Sequence, residues 1–127
     1  MRQIVIFALS VAALLSVLTI TATAHAESGA FAYDAGTAKY GFSWNEKNQR
    51  VADAAAMKGC PSQNCKVVFR TGPQECGALA TSDSPKESSA WGGAVRGNKE
   101  EAEARAVADC KKHTSGQCKV RASACNR

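Results

Sequence analysis

The sequence predicts an α+β protein: two tandem strand–strand–helix–strand repeats sharing one core, with antiparallel sheet, two helices and structural disulfides. Three observations predict it. An Asn-led, Ala-rich amphipathic run occurs at 48–60 and again at 98–110. Each run ends in Cys and is followed by Cys-Lys-Val, at 65–67 and 118–120. A Gly-Ala-x-Ala segment precedes each, at 29–32 and 77–80. On this reading the first repeat spans about 29–76 and the second 77–125, and each carries three of the six cysteines.

The N-terminal stretch sets the compartment. Arg2 supplies a positive charge, the run from Ile4 to Ile20 is apolar apart from Ser10, Ser16 and Thr19, and Ala24-His25-Ala26 places small residues where a signal peptidase reads. This is the pattern of a secretory signal peptide over 1–26, and the apolar run is short for a membrane anchor. The expected mature chain, 27–127, is one small domain of two repeats, periplasmic or secreted, with no stable membrane insertion once the leader is removed. Of the 16 basic residues it keeps 15, without Arg2, against 11 acidic ones, so it is a basic protein.

Within the mature region, residues 29–33 alternate as a strand, Asp34-Ala35-Gly36-Thr37 forms a turn, and 39–44 return as a hairpin. Asn48 caps a helix that Gly59 and Pro61 end. Ala52, Ala56 and Cys60 recur every four residues and mark its inward stripe, narrow enough for close approach to a sheet. The third strand, 65–70, is expected to point Cys65, Val67 and Phe69 to one side. In the second copy, strands at 77–80 and 90–95 flank a longer polar turn containing Pro85. Asn98 caps the second helix, Glu101 and Arg105 are spaced as an i,i+4 pair, and Ala102, Ala106 and Cys110 repeat the inward stripe. Residues 118–122 form the sixth strand.

An even cysteine count in an oxidising compartment reads as three disulfides, for which fifteen connectivities exist. Cys60 and Cys65 flank a tight helix-to-strand reversal, as do Cys110 and Cys118, and such a reversal supplies the Cα separation a disulfide needs. This favours Cys60–Cys65, Cys110–Cys118 and, across the two copies, Cys76–Cys125. The rival symmetric choice crosses the copies at all three positions. Cys-x-x-Cys is absent, and paired Cys/His quartets are too, so neither a redox motif nor a zinc site is indicated.

The duplicated Gly-Ala-x-Ala, the aromatic-Gly returns Tyr40-Gly41 and Trp91-Gly92, the helices ending at Cys60 and Cys110, the two Cys-Lys-Val segments, and Cys76-Gly77-Ala78-Leu79-Ala80 together resemble the secreted bacterial domain of unknown function 4189. The match runs over essentially the whole mature region. The resemblance implies an exported protein and carries no catalytic residue with it.

Nothing in the sequence assembles a catalytic centre or a cofactor motif. The mature region holds one histidine, His113, in a polar linker beside Lys111 and Lys112, where a solvated role is expected. Glu100, Glu101 and Glu103 suit a helix start, Asp34 and Asp83 suit turns, and Gly92-Gly93 marks a bulge or a close helix approach. Two features point to binding instead. Lys111, Lys112, Lys119 and Arg121 crowd the second repeat as a candidate basic surface. Tyr33, Tyr40, Trp44 and Trp91 sit on hairpins, either as exposed anchors or as core. The function expected is a non-enzymatic, disulfide-stabilised binding or inhibitor-like module. Its partner would be an envelope or secreted protein or an anionic envelope component, with nucleic acid disfavoured. The alternatives are a secreted effector or antigen acting on a host or competitor cell, and a small hydrolase using hairpin carboxylates.

Overall fold

A computed structural model describes residues 27–84 and 89–127. The expected leader over 1–26, with its cleavage site, and Pro85 in the second turn lie outside the described residues. The elements run β1 (Ser28–Asp34), β2 (Lys39–Glu46), α1 (Gln49–Gly59), β3 (Lys66–Thr71), β4 (Cys76–Ser82), β5 (Trp91–Arg96), α2 (Lys99–Lys111) and β6 (Cys118–Cys125). They build two antiparallel three-stranded sheets, ordered β2-β1-β3 and β5-β4-β6, so each half is strand–strand–helix–strand.

The central strands β1 and β4 are buried along their whole length because they are covered on both faces. One face of each is alanine. Ala30 and Ala32 pack under Ala52 and Ala56 of α1, and Ala78 and Ala80 pack under Ala102 and Ala106 of α2. The opposite faces, carrying Phe31, Tyr33 and Leu79, meet between the sheets together with Ala122. The layers are therefore α1, sheet, sheet, α2, and the core shared by the two halves is the sheet-to-sheet layer. Strand β2 lies over β6 and β3 over β5, so exchanging the halves reproduces the same contacts, as a pseudo-twofold axis requires.

Close helix approach depends on one glycine in each half. A Cβ on Gly41 would stand 2.2 Å from the Ala56 carbonyl oxygen, and one on Gly92 would stand 2.4 Å from that of Ala106. Both helices start on their asparagines: Asn48 Oδ1 accepts from Val51 N at 2.9 Å and Asn98 Oδ1 from Glu101 N at 2.8 Å. Among the described residues the ion pairs along α2 are Lys99–Glu103 and Asp109–His113, and the expected Glu101–Arg105 pair does not form.

The third strand of each half carries a register shift. In β3, Phe31 pairs with Phe69 but Ala32 pairs with Val67, so Val68 is bulged. Arg121 is bulged at the matching place in β6. The bulge corrects the expected strand face: Cys65 and Val67 face α1, whereas Phe69 turns into the layer between the sheets. A second bulge, in β2 near Asn45 (φ 55°), has no counterpart in β5.

The disulfides are Cys60–Cys65, Cys76–Cys125 and Cys110–Cys118, with Cα separations of 6.2, 3.9 and 6.1 Å. Their distribution corrects the picture of three cysteines per half. Cys76 opens β4 and is paired in register with Cys125 of β6, so this bond closes the second sheet on itself and does not cross the copies. The first half holds two cysteines and the second four. Where the second half has this bond, the first is closed by the segment after β6. Asn126 Nδ2 donates to Thr71 Oγ1 and to the Gly72 carbonyl, and its Oδ1 accepts from Asn45 N at 2.8 Å.

Candidate binding sites

Hydrogen-bonded clasps tie each half's first strand to its helix-to-strand loop. In the first half the clasp is Asp34, buried at the end of β1. It accepts from Ser62 Oγ in the loop closed by Cys60–Cys65, from Thr37 Oγ1 at 2.7 Å and from Gly36 N at 2.9 Å. These donors, Ser62 first, hold its carboxyl below the usual carboxylate range. In the second half the corresponding clasp is Ser82 with Thr114, at 3.2 Å. A further pin joins α1 to β3, where Arg70 grips Asp53 through three contacts of 2.9–3.2 Å. That hydrogen bonding lowers Asp53 and raises Arg70. The matching link from α2 to β6 runs from Ser123 Oγ to Glu103, at 2.6 Å.

The first surface on this frame is aromatic. Tyr33 is buried and packs against Trp91 at 5.7 Å between ring centroids, so these two serve the interior. Burial pushes the Tyr33 phenol up. Trp44 behaves differently: it is 49% exposed on β2 and stacks on Phe42 at 5.5 Å. Phe42 stacks in turn on buried Phe31, so the exposed ring rests on the core through one intermediate. A groove lies on each side of this strip. One, of about 560 Å³, runs past Tyr40, Gly41, Phe42 and Trp44 to Pro61. The other, of about 320 Å³, lies between Trp44 and residues 123–125 of β6. Sequence reading included Trp44 among the aromatics and passed over Phe42, although strand alternation places Phe42 on the same face two positions away.

The second surface is charged. The structure separates the residues read as one basic face. Lys112, just beyond α2, lines a groove of about 390 Å³ beside β5, with Arg96, Arg105, Phe69, Gly93 and Ala94. Lys119 and Arg121 stand on β6, at the other edge of the same sheet. Arg121 is held there, donating to Thr81 Oγ1 and to Asp83, each at 2.7 Å. Lys111 is exposed at the end of α2. His113 is exposed, 3.9 Å from Asp109. Arg96 and Arg105 escaped sequence reading because they lie nine residues apart on a strand and a helix. The available signal was Gly93, which stands where the first half has Phe42 and makes room for the ring of Phe69.

Among the described residues no group of His, Cys, Asp and Glu is arranged to hold a metal ion, and no helix is long and apolar enough to cross a membrane.

Residues 28–125 match the family described as Domain of unknown function (DUF4189). Three mycobacterial proteins are similar over a shorter stretch: Protein Rv1269c and Protein MT1307 of Mycobacterium tuberculosis strains and Protein Mb1300c of Mycobacterium bovis. Each is 40% identical over 55 residues, which is 43% of this chain and 42% of the relative. No solved structure matches. The extent of the family match makes the chain a member of the DUF4189 family.

Proposed function

We propose that this family member is an exported, non-enzymatic binding module that engages another envelope or secreted protein through the aromatic strip on β2. The observation that carries the reading is Trp44: a large ring, half exposed, stacked on Phe42 and flanked by two grooves. Interface hot spots have this form, a rigid aromatic anchor beside hollows that accept the partner's side chains. Strand β2 is also the outer strand of its sheet, so a partner segment can lie along it. Export is supported by three disulfides, which persist in oxidising compartments, together with the apolar run after Arg2.

The test is affinity capture of partners from envelope and culture fractions, followed by measurement of the purified partner's Kd against wild-type and Trp44→Ala chains. A loss of about 2 kcal/mol or more on removing the ring is expected. Unchanged affinity, with the chain's melting temperature also unchanged, would remove the strip from the interface.

A further inference from the structure

Beyond that reading, and independent of it, the groove beside β5 has a chemistry of its own. Three cations reach it from three places: Arg96 at the end of β5, Arg105 from the middle of α2, and Lys112 just past its end. Among the described residues neither Arg105 nor Lys112 has an acidic partner within salt-bridge distance. Arg96 Nη1 donates to the neighbouring Val95 carbonyl at 2.7 Å, which fixes the side chain without neutralising it. The one carboxylate in the groove, Asp109, is engaged by Gly93 N at 3.2 Å and faces His113 with its other oxygen. Charge therefore remains in surplus on the positive side.

Part of the lining is apolar. Gly93 has no side chain, and the ring of Phe69 occupies the space beside it, so close that a Cβ there would lie 2.5 Å from the ring. Phe69, Gly93 and Ala94 thus supply apolar surface in a groove that three cations also line. At about 390 Å³ the groove falls within the range of small-molecule sites and exceeds what a bare inorganic anion fills.

We propose that this groove binds an acidic sugar, a pyranose ring carrying a carboxylate or a phosphate. The ring's C–H face would lie on Phe69 and Gly93. The planar guanidinium forks of Arg96 and Arg105 suit either anion in bidentate fashion, and Lys112 adds a point charge.

The experiment is an NMR titration of the oxidised chain with galacturonic acid trimer, its methyl ester, glucose 6-phosphate and inorganic phosphate, each at low and high salt. Shifts centred on the amides of Gly93, Ala94 and Arg105 are expected with the trimer or the sugar phosphate, and the stronger of the two identifies the anion. Arg105→Glu should weaken binding roughly tenfold or more. Lys119→Glu, at the opposite sheet edge, should leave it unchanged, and so should Trp44→Ala. Arg105→Gln gives a second reading if the charge-reversed variant fails to fold. Equal shifts from the methyl ester, inorganic phosphate binding as tightly as glucose 6-phosphate, or no shift with either acidic sugar would overturn the proposal. Binding confined to anionic lipid vesicles would overturn it as well.

Discussion

The first half meets the shared core with Phe31, Tyr33 and Phe69, whereas the second meets it with Leu79, Trp91, Ala122 and the bare backbone of Gly77 and Gly93. The rings of Phe31 and Phe69 fill the space that those two glycines leave. The same division appears in how each half is closed. The second has the Cys76–Cys125 bond across its sheet, while the first has hydrogen bonds from Asn126. What both halves keep is geometric: the helix-start asparagines, the glycines under the helices, and the bulge in the third strand. What they do not keep is the chemistry of their faces, aromatic beside β2 and cationic beside β5. The two halves share a frame and differ in their surfaces.

The sharpest way to break this comparison is to remove the disulfides in pairs. In the chain-entropy account, Cys76–Cys125, with a sequence separation of 49, contributes about 4 kcal/mol. Cys60–Cys65, with a separation of 5, contributes about 2 kcal/mol. Urea unfolding of the two double-serine variants should show that ordering, and double variants avoid a leftover thiol. Equal losses would mean that the second half does not depend on its covalent closure.

Gly41→Ala and Gly92→Ala test what the halves have in common. Each added methyl collides with helix backbone, which cannot swing aside, so each should cost about 3 kcal/mol. Thermal melts differing widely between the two would show that the helices are not equivalent.

Asn126→Ala addresses the latch. It strips partners from buried Thr71 and from the Asn45 amide, at a cost of about 2 kcal/mol. Hydrogen exchange should quicken at Asn45 while amides of the second sheet stay protected. Uniform acceleration across both sheets would place the latch in the global fold instead.

The smallest effect concerns acid. Asp34 and Asp53, both in the first half, have carboxyls held below the ordinary range in the folded chain. Their stabilising contribution is complete above the unfolded carboxylate pKa of about 3.9 and is lost as pH falls through the lower folded value. Asp34→Asn should therefore flatten the acid limb of a melting-temperature profile. An acid limb as steep as the wild type's would clear Asp34 of that role.

Much of the frame was legible because it rests on local patterns. Alanines every four residues, capping asparagines and cysteines flanking short reversals each act within a few positions, and each pattern occurs twice in the sequence. The role of Cys76 was misread because its spacing resembles that of Cys125, although one opens a central strand and the other ends an edge strand. The bulges at Val68 and Arg121 were invisible, since an extra residue in a strand shows only against its partner's register. The candidate sites were less legible still. Trp44 stood out by type, but the grooves beside it and the placing of Arg96 and Arg105 along one groove depend on how α1, α2 and the second sheet pack.

The latch also bears on the order of synthesis. Asn45 and the residue that closes over it are 81 positions apart, so nearly the whole second half leaves the ribosome in between. Until β4 arrives, the Phe31 face has no opposing sheet, and transiently bare apolar surface of this kind invites aggregation. Placing the two halves in the reverse order would instead expose the face of Leu79 and Trp91, set among Gly77, Gly93 and Ala122, during that interval.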